Sequence, residues 1–281
     1  MNAASLVAAV IGSPVSHSLS PAMYRAALRI HGVQGEYEAL ECVGDDVAAL
    51  VSTLQHQGVR GLSVTMPLKE RIIAALDSVD EVASLLHAVN CVVLTSTHTT
   101  GYNTDGDGCC DALTEQGGAH LGGATAVVLG AGGTGRSVAL ALGCRGAHVV
   151  VVNRSVSHAE QLVQRLGSVV TREGGTLRVG TIDDIASADV VVNTTSVGMN
   201  STETLVPRSM LRAEHIVLDA VYQPLETTFL ADARSAGATV VDGLWMLVQQ
   251  ARRQCVLQFG WKPTAEVMRE AAERELRARR Q

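Results

Sequence analysis

The sequence predicts an α/β chain of two domains, and three observations carry that prediction. Short apolar runs alternate with helical patterns along almost all of its 281 residues. The alternation restarts after GYNTDGDG, near residue 105. In the second series a full G-x-G-x-x-G, Gly130, Gly132 and Gly135, stands between an apolar strand and a helix. That context marks a doubly wound, Rossmann-type domain. Apolar residues make up 47% of the chain and aromatics only 3%, so the core is read as Val, Leu, Ile and Ala.

The elements follow in order. LVAAVI, residues 6–11, reads as a buried strand, and PAMYRAALRI as a helix with Met23, Ala26, Ala27 and Ile30 on one face. Between them lies GSPVSHSLSP. Ser20 and Pro21 there suit an ordinary helix start, serine as N-cap and proline as first helical residue. The hydroxyls of Ser18 and Ser20 equally suit a ligand. EYEALEC, 36–42, alternates like a strand, and DDVAALVSTLQHQ, 45–57, has a helical pattern. RGLSVT is a short strand, followed by helical stretches to about Leu86, and NCVVLTS is another strand. Repeated β-α units of this kind predict a parallel sheet covered by helices. In the second series a helix fits 107–116. TAVVLG, HVVVVN, DVVVNTT, HIVLDAV and ATVVDG are strands, and SVALALGCRG and HAEQLVQRL are helices. Two helices, about 243–259 and 264–280, close the chain. In the last, Glu270/Arg274, Glu273/Arg277 and Glu275/Arg279 sit four apart, each pair worth about 0.2–0.5 kcal/mol.

Composition excludes several classes. The net charge of -6 argues against a nucleic-acid footprint. The six cysteines, at 42, 91, 109, 110, 144 and 255, form no C-x-x-C pair, so no metal site is expected. Scattered free thiols fit a reducing cytosol. MNAASLVAAVIG lacks a basic start and is too short for a signal peptide or membrane span. A cytoplasmic protein that binds no membrane is expected.

Positive signals cluster at strand ends. The glycine-rich turn lets backbone N–H groups approach a pyrophosphate at a helix N-terminus, where the dipole favours an anion. After the next strand, where NAD enzymes usually place an acid, stands Asn153-Arg154-Ser155. A guanidinium and a hydroxyl suit a 2′-phosphate, which predicts NADP, with NAD as the alternative. GLSVTMPLK runs a strand into Thr65 and Lys69, and GYNTD delivers Asp105 just past another strand. A lysine in a crevice can move a proton, and a carboxylate beside it would hold and tune it. By itself Lys69 equally fits a surface lysine.

HSLSP, GLSVTMPLK, AVN, GYNTDGDG, GAGGTGRS, VVNRS, NTTSVGM, DAVYQPLETTFL and DGLWMLVQQA occur in this order. Together they resemble the shikimate dehydrogenase family, which includes quinate/shikimate dehydrogenases, over about residues 6–260. The resemblance implies NADP-dependent, reversible reduction of 3-dehydroshikimate to shikimate, in aromatic amino-acid biosynthesis. Lys69 would be the catalytic lysine and Asp105 its partner carboxylate. Ser18, Ser20 and Tyr222 would bind the substrate carboxylate; Thr65, Asn90, Asp105 and Gln250 would contact the ring and its hydroxyls. Gly130, Ala131, Gly132, Gly133 and Thr134 would form the phosphate turn, and Asn153, Arg154 and Ser155 the adenosine-phosphate clamp. Ala220 and Gly243 fall where the nicotinamide half rests. Glu81 falls at a position some members associate with the cofactor and equally fits a solvated helix face. The domains implied are 1–105, completed by helices at 245–281, and 106–244. The partners are small molecules, and the state a monomer or homodimer.

The sequence also departs from the family. His158 stands where a second basic residue is common, and a mostly neutral histidine softens the NADP preference. Gly135 is commonly alanine, and His87 stands where glycine often precedes AVN. Cys255 and Gln258 replace aromatic residues. A quinate/shikimate or aminoshikimate dehydrogenase, or a non-catalytic ligand-binding paralogue, are the alternatives.

Overall fold

Every apolar run read as a strand pairs in a sheet in the computed structural model, which describes residues 5–43 and 46–279. The predicted helix start at Asp45, the end at Arg280 and the first four residues fall outside the described positions. The chain divides into two units. One runs to Thr104 and resumes at Ala251; the other is Asp105–Gln250.

The first unit begins β1 (Leu6–Gly12), α1 (Ser20–Ile30), β2 (Glu36–Glu41), α2 (Val47–His56), β3 (Gly61–Val64) and α3 (Leu68–Arg71). It continues β4 (Ser78–Val79), α4 (Glu81–Leu86), β5 (Cys91–Leu94) and β6 (Thr99–Tyr102). The strand order is β2-β1-β3-β5-β6-β4. β1 runs parallel to β2 and β3, but β5 is antiparallel to both β3 and β6. The sheet is therefore mixed, where a parallel one was expected. NCVVLTS turns back on itself as a hairpin, and its return strand TTGY has no apolar run to announce it. Ile11, Leu54, Leu62, Leu68, Ile72 and Val92 are among its packed core. The helix start also differs from expectation. Ser20 is the first residue of α1 and does not cap it with its side chain. Ser18 Oγ accepts the Ser20 N–H instead, at 3.2 Å.

The second unit comprises α5 (Asp105–Glu115), β7 (Thr125–Leu129), α6 (Gly133–Gly143), β8 (His148–Val152), α7 (Val156–Arg172) and β9 (Thr176–Val179). Then come β10 (Val190–Asn193), β11 (Ile216–Asp219), α8 (Thr228–Ser235) and β12 (Thr239–Val241). All six strands are parallel, in the order β12-β11-β10-β7-β8-β9. This is the doubly wound order, and its direction of winding reverses between β7 and β10. Val127, Leu129, Val150, Val191, Val217 and Phe229 fill the core on one face. β9 and α8 were not anticipated. The unit boundary falls inside α9 (Gly243–Phe259), which is followed by α10 (Ala265–Ala278). Among the described residues no helix is long and apolar enough to cross a membrane.

Candidate active site

In the first unit the chain ends of β1 and β3 lie side by side. Thr65 N–H donates to Ile11 O, and Ser13 N–H to Met66 O, each at 3.0 Å. Gly12 makes this approach possible: a β-carbon there would lie 2.4 Å from Thr65 Cγ2. The serine loop and the Thr65–Lys69 segment are thereby tied together. Arg279 secures the loop from the end of the chain, its guanidinium donating to His17 O at 2.7 Å and Ser18 O at 3.1 Å. Lys69 sits half-buried on α3. Its carbonyl accepts the Val89 N–H at 2.8 Å, while Val64 N–H donates to Asn90 O at 2.8 Å. Asn90 is thus fixed beside the segment that carries Thr65 and Lys69. Its side chain is buried, with Oδ1 accepting Thr104 N–H at 2.8 Å and Nδ2 donating to Thr104 Oγ1 at 3.1 Å. Ser18, Ser20, Thr65, Lys69 and Asn90 are therefore brought to one region of this unit. Glu81 is exposed on the first turn of α4.

Behind them lies a buried polar cluster that the sequence did not disclose. Tyr24 and Tyr37 stack with ring centroids 4.1 Å apart. Tyr37 donates to Ser63 Oγ at 2.6 Å, and Gln254 Oε1 accepts from Ser63 at 2.5 Å and from Tyr24 at 2.9 Å. Burial pushes both phenols above their ordinary pKa, which keeps them protonated donors. The available signal was one polar residue, Ser63, inside an apolar strand run.

In the second unit, Gly130 follows β7 with a φ of 110°, and a β-carbon there would lie 2.7 Å from Thr194 Oγ1. Glycine alone meets both demands. At Gly132, the N-cap of α6, a β-carbon would meet nothing within 4 Å, so the turn is open on that side. Ala131 N–H donates to Asn153 Oδ1 at 3.1 Å, joining this turn to the end of β8. Asn153 Nδ2 donates to Ser155 O at 2.8 Å. Arg154 and His158 are exposed, and Ser155 is half-buried and is the N-cap of α7. An open glycine turn at a helix N-terminus, with a guanidinium at the next strand end, fits the diphosphate and 2′-phosphate of NADP.

The end of β11 is held by an unforeseen residue, Asp219. Its buried carboxylate accepts from Thr227 Oγ1 at 2.7 Å, Asn193 Nδ2 at 2.9 Å and Val221 N–H at 3.0 Å. Burial pushes this carboxyl above its ordinary value, against the pull of those three hydrogen bonds. Asp219 fixes the turn that carries Ala220 and Tyr222. Gly243 packs on that turn, its β-carbon position 2.5 Å from Ala220 O. Asp105 is the buried first residue of α5, and Gln250 packs against Gly108 of the same helix. The Gln250 Nε2 donates to Leu247 O at 2.8 Å.

Two family models match the chain: the shikimate dehydrogenase substrate binding domain over residues 10–92, and shikimate / quinate 5-dehydrogenase over residues 112–219. The shikimate dehydrogenase (NADP(+)) of Pyrococcus abyssi is 39% identical over 264 residues, covering 92% of this chain and 94% of that protein. The chain belongs to the shikimate dehydrogenase family. Among solved structures, the shikimate 5-dehydrogenase of Thermus thermophilus, in complex with NADP(H) and shikimate, superposes with a TM-score of 0.88. It is 38% identical, over 96% of this chain and 99% of that one. The quinate dehydrogenase of Corynebacterium glutamicum in complex with NAD is 34% identical, with a TM-score of 0.86 over 95% of this chain and 98% of that one. His87 has a φ of 51° at the C-terminus of α4, a left-handed position that favours glycine.

Proposed function

We propose that this protein is an NADP-dependent shikimate dehydrogenase, which reversibly reduces 3-dehydroshikimate to shikimate. The observation that carries the reading is the likeness to NADP-dependent shikimate dehydrogenases along nearly the whole chain. Most residues assigned to the substrate lie in the first unit and those assigned to the cofactor in the second; Asp105, Tyr222 and Gln250, also assigned to the substrate, belong to the second. Ser18, Ser20 and Tyr222 bind the carboxylate through hydroxyl donors, which need no fixed charge. Thr65, Asn90, Asp105 and Gln250 hold the ring and its hydroxyls. A site that hydrogen-bonds several hydroxyls rejects analogues lacking them, because its buried polar groups would be left unpaired.

When bound, NADPH supplies the hydride that reaches the ketone carbon. Lys69, as ammonium, gives a proton to the ketone oxygen directly or through a water, and takes it back in the oxidative direction. Asp105 is assigned as the partner carboxylate. The backbone of Gly130–Thr134 takes the diphosphate, and Asn153, Arg154 and Ser155 take the adenosine phosphate. Ala220 and Gly243 support the nicotinamide half. The protein acts in the cytoplasm, as a monomer or homodimer working on small molecules.

The test is dihydronicotinamide absorbance with shikimate or quinate, each paired with NADP⁺ or NAD⁺. Turnover confined to shikimate with NADP⁺ is expected. A second reading, a quinate/shikimate dehydrogenase using NAD, draws on His158, a histidine where a second basic residue is common, and the likeness to a quinate dehydrogenase. Comparable turnover with quinate and NAD⁺ would establish it instead. Absence of turnover in every pairing would leave a binding paralogue.

A further inference from the structure

We infer that Gln254 is a positioning residue for the substrate site, acting through Thr104 on Asn90. The inference rests on the assignment of Asn90 to substrate binding. Its basis is a complete accounting of one buried amide. A glutamine side chain offers two acceptor positions and two donor protons. At Gln254, only 1% exposed, all four are used. Oε1 accepts from Tyr24 and Ser63, at 2.9 and 2.5 Å. Nε2 donates to Asn90 O at 3.2 Å and to Thr104 Oγ1 at 3.3 Å.

The two ends of that amide reach different partners. On the donor side, Thr104 Oγ1 also meets both amide atoms of Asn90, at 3.1 and 3.2 Å. The Gln254 contact therefore helps fix the hydroxyl against which the Asn90 side chain is oriented. On the acceptor side, Ser63 Oγ, which donates to Gln254 Oε1, itself accepts the Tyr37 phenol at 2.6 Å. One hydrogen-bonded chain thus joins Tyr37 to Asn90 through Ser63, Gln254 and Thr104. Buried networks of this kind are rigid when every member is satisfied, and they lose orientation when one is removed. The arrangement gives Gln254 a reason to be polar in the centre of an otherwise apolar interior, where an unpaired amide would be costly.

The experiment is steady-state kinetics on Gln254→Leu, Thr104→Val, Thr104→Ser and Asn90→Ala. The readouts are the KM values for shikimate and NADP⁺, and turnover of a shikimate analogue lacking one ring hydroxyl. Gln254→Leu and Thr104→Val are expected to raise the KM for shikimate roughly tenfold, the size of one charge-free hydrogen bond's orientation. The KM for NADP⁺ should stay within about twofold. The preference for shikimate over the deoxy analogue should narrow, which a purely structural loss would not cause. Thr104→Ser keeps the hydroxyl and should restore parental values. If Gln254→Leu does not fold, the Thr104 pair decides. Should Asn90→Ala raise the shikimate KM while Thr104→Val and any folded Gln254→Leu leave it unchanged, the positioning role is overturned and the site assignment stands. Should Asn90→Ala itself change nothing, both fall.

Discussion

The two units build their sites from different material. In the second, the proposed site is mostly backbone: a glycine turn between β7 and α6, whose N–H groups and open faces are assigned the binding, and a strand end beside it. In the first, the proposed site is mostly side chains gathered from β1's loop, α3, the residue before β5 and, behind them, α9. A backbone site is local, because consecutive residues form it. A side-chain site is dispersed, because only the sheet order brings its members together. The difference teaches where substitutions should act and how specific their effects should be.

The largest expected effect is on the dispersed site. Lys69→Ala should lower kcat by about 10²–10⁴-fold, the usual worth of a positioned proton donor. NADP⁺ affinity, read by fluorescence titration, should persist. A kcat within a few-fold of the parent would break the assignment of Lys69. The counterpart on the local site is Gly130→Ala. It forces a β-carbon to 2.7 Å from Thr194 Oγ1 at a φ of 110°. We expect a cost of about 1–2 kcal/mol and a weakened NADP⁺ complex, with binding of shikimate alone retained. Calorimetric titration of the two ligands checks it; equal loss of both would erase the division of labour.

A smaller effect separates two carboxylates by the sign of their pH dependence. Burial raises Asp219 in the second unit above its ordinary 3.8, so its favourable contribution is present at low pH and fades as pH rises through the folded value. In the first unit, the N–H and hydroxyl of Thr99 hold Asp77 below 3.8, so its contribution is present at neutral pH and is lost as pH falls through the folded value. Unfolding midpoints of Asp219→Asn and Asp77→Asn across acid pH should diverge from the parent in opposite senses. Parallel profiles would refute this contrast. The smallest effect is a gain. His87→Gly relieves a left-handed residue and should stabilise the protein by about 0.5–1 kcal/mol, seen as a higher Tm.

The same contrast explains what was legible in advance. The strand–turn–helix geometry at Gly130–Thr134 and the strand end at Asn153–Ser155 could be read directly, because each is a run of consecutive residues. Lys69 and Asn90 needed the family resemblance, since nothing local distinguishes Lys69 from a surface lysine. Asp219 and Gln254 escaped notice altogether. Their meaning comes from partners far along the chain, such as Ser63, 191 residues from Gln254. The mixed sheet of the first unit was missed for a related reason: parallel and antiparallel strands share the same residue types, and the β5–β6 turn carries no glycine or proline to announce it. The serine start of α1 was misread by a single residue: Ser20 is already helical and its N–H donates back to Ser18 Oγ, within a stretch whose composition suited either arrangement.

Arg279 holds the loop of Ser18 by its carbonyl oxygens, and Gln254 fills the interior behind it. Both follow the second unit in the chain. During translation the second unit, one uninterrupted stretch, emerges with all its own parts, whereas the first unit, begun earlier, must wait for α9 and α10. The unit begun first is closed only after the other has been made. A ribosome that stalls just after Gln250 has made every residue of the second unit, while the first still lacks Gln254 and Arg279.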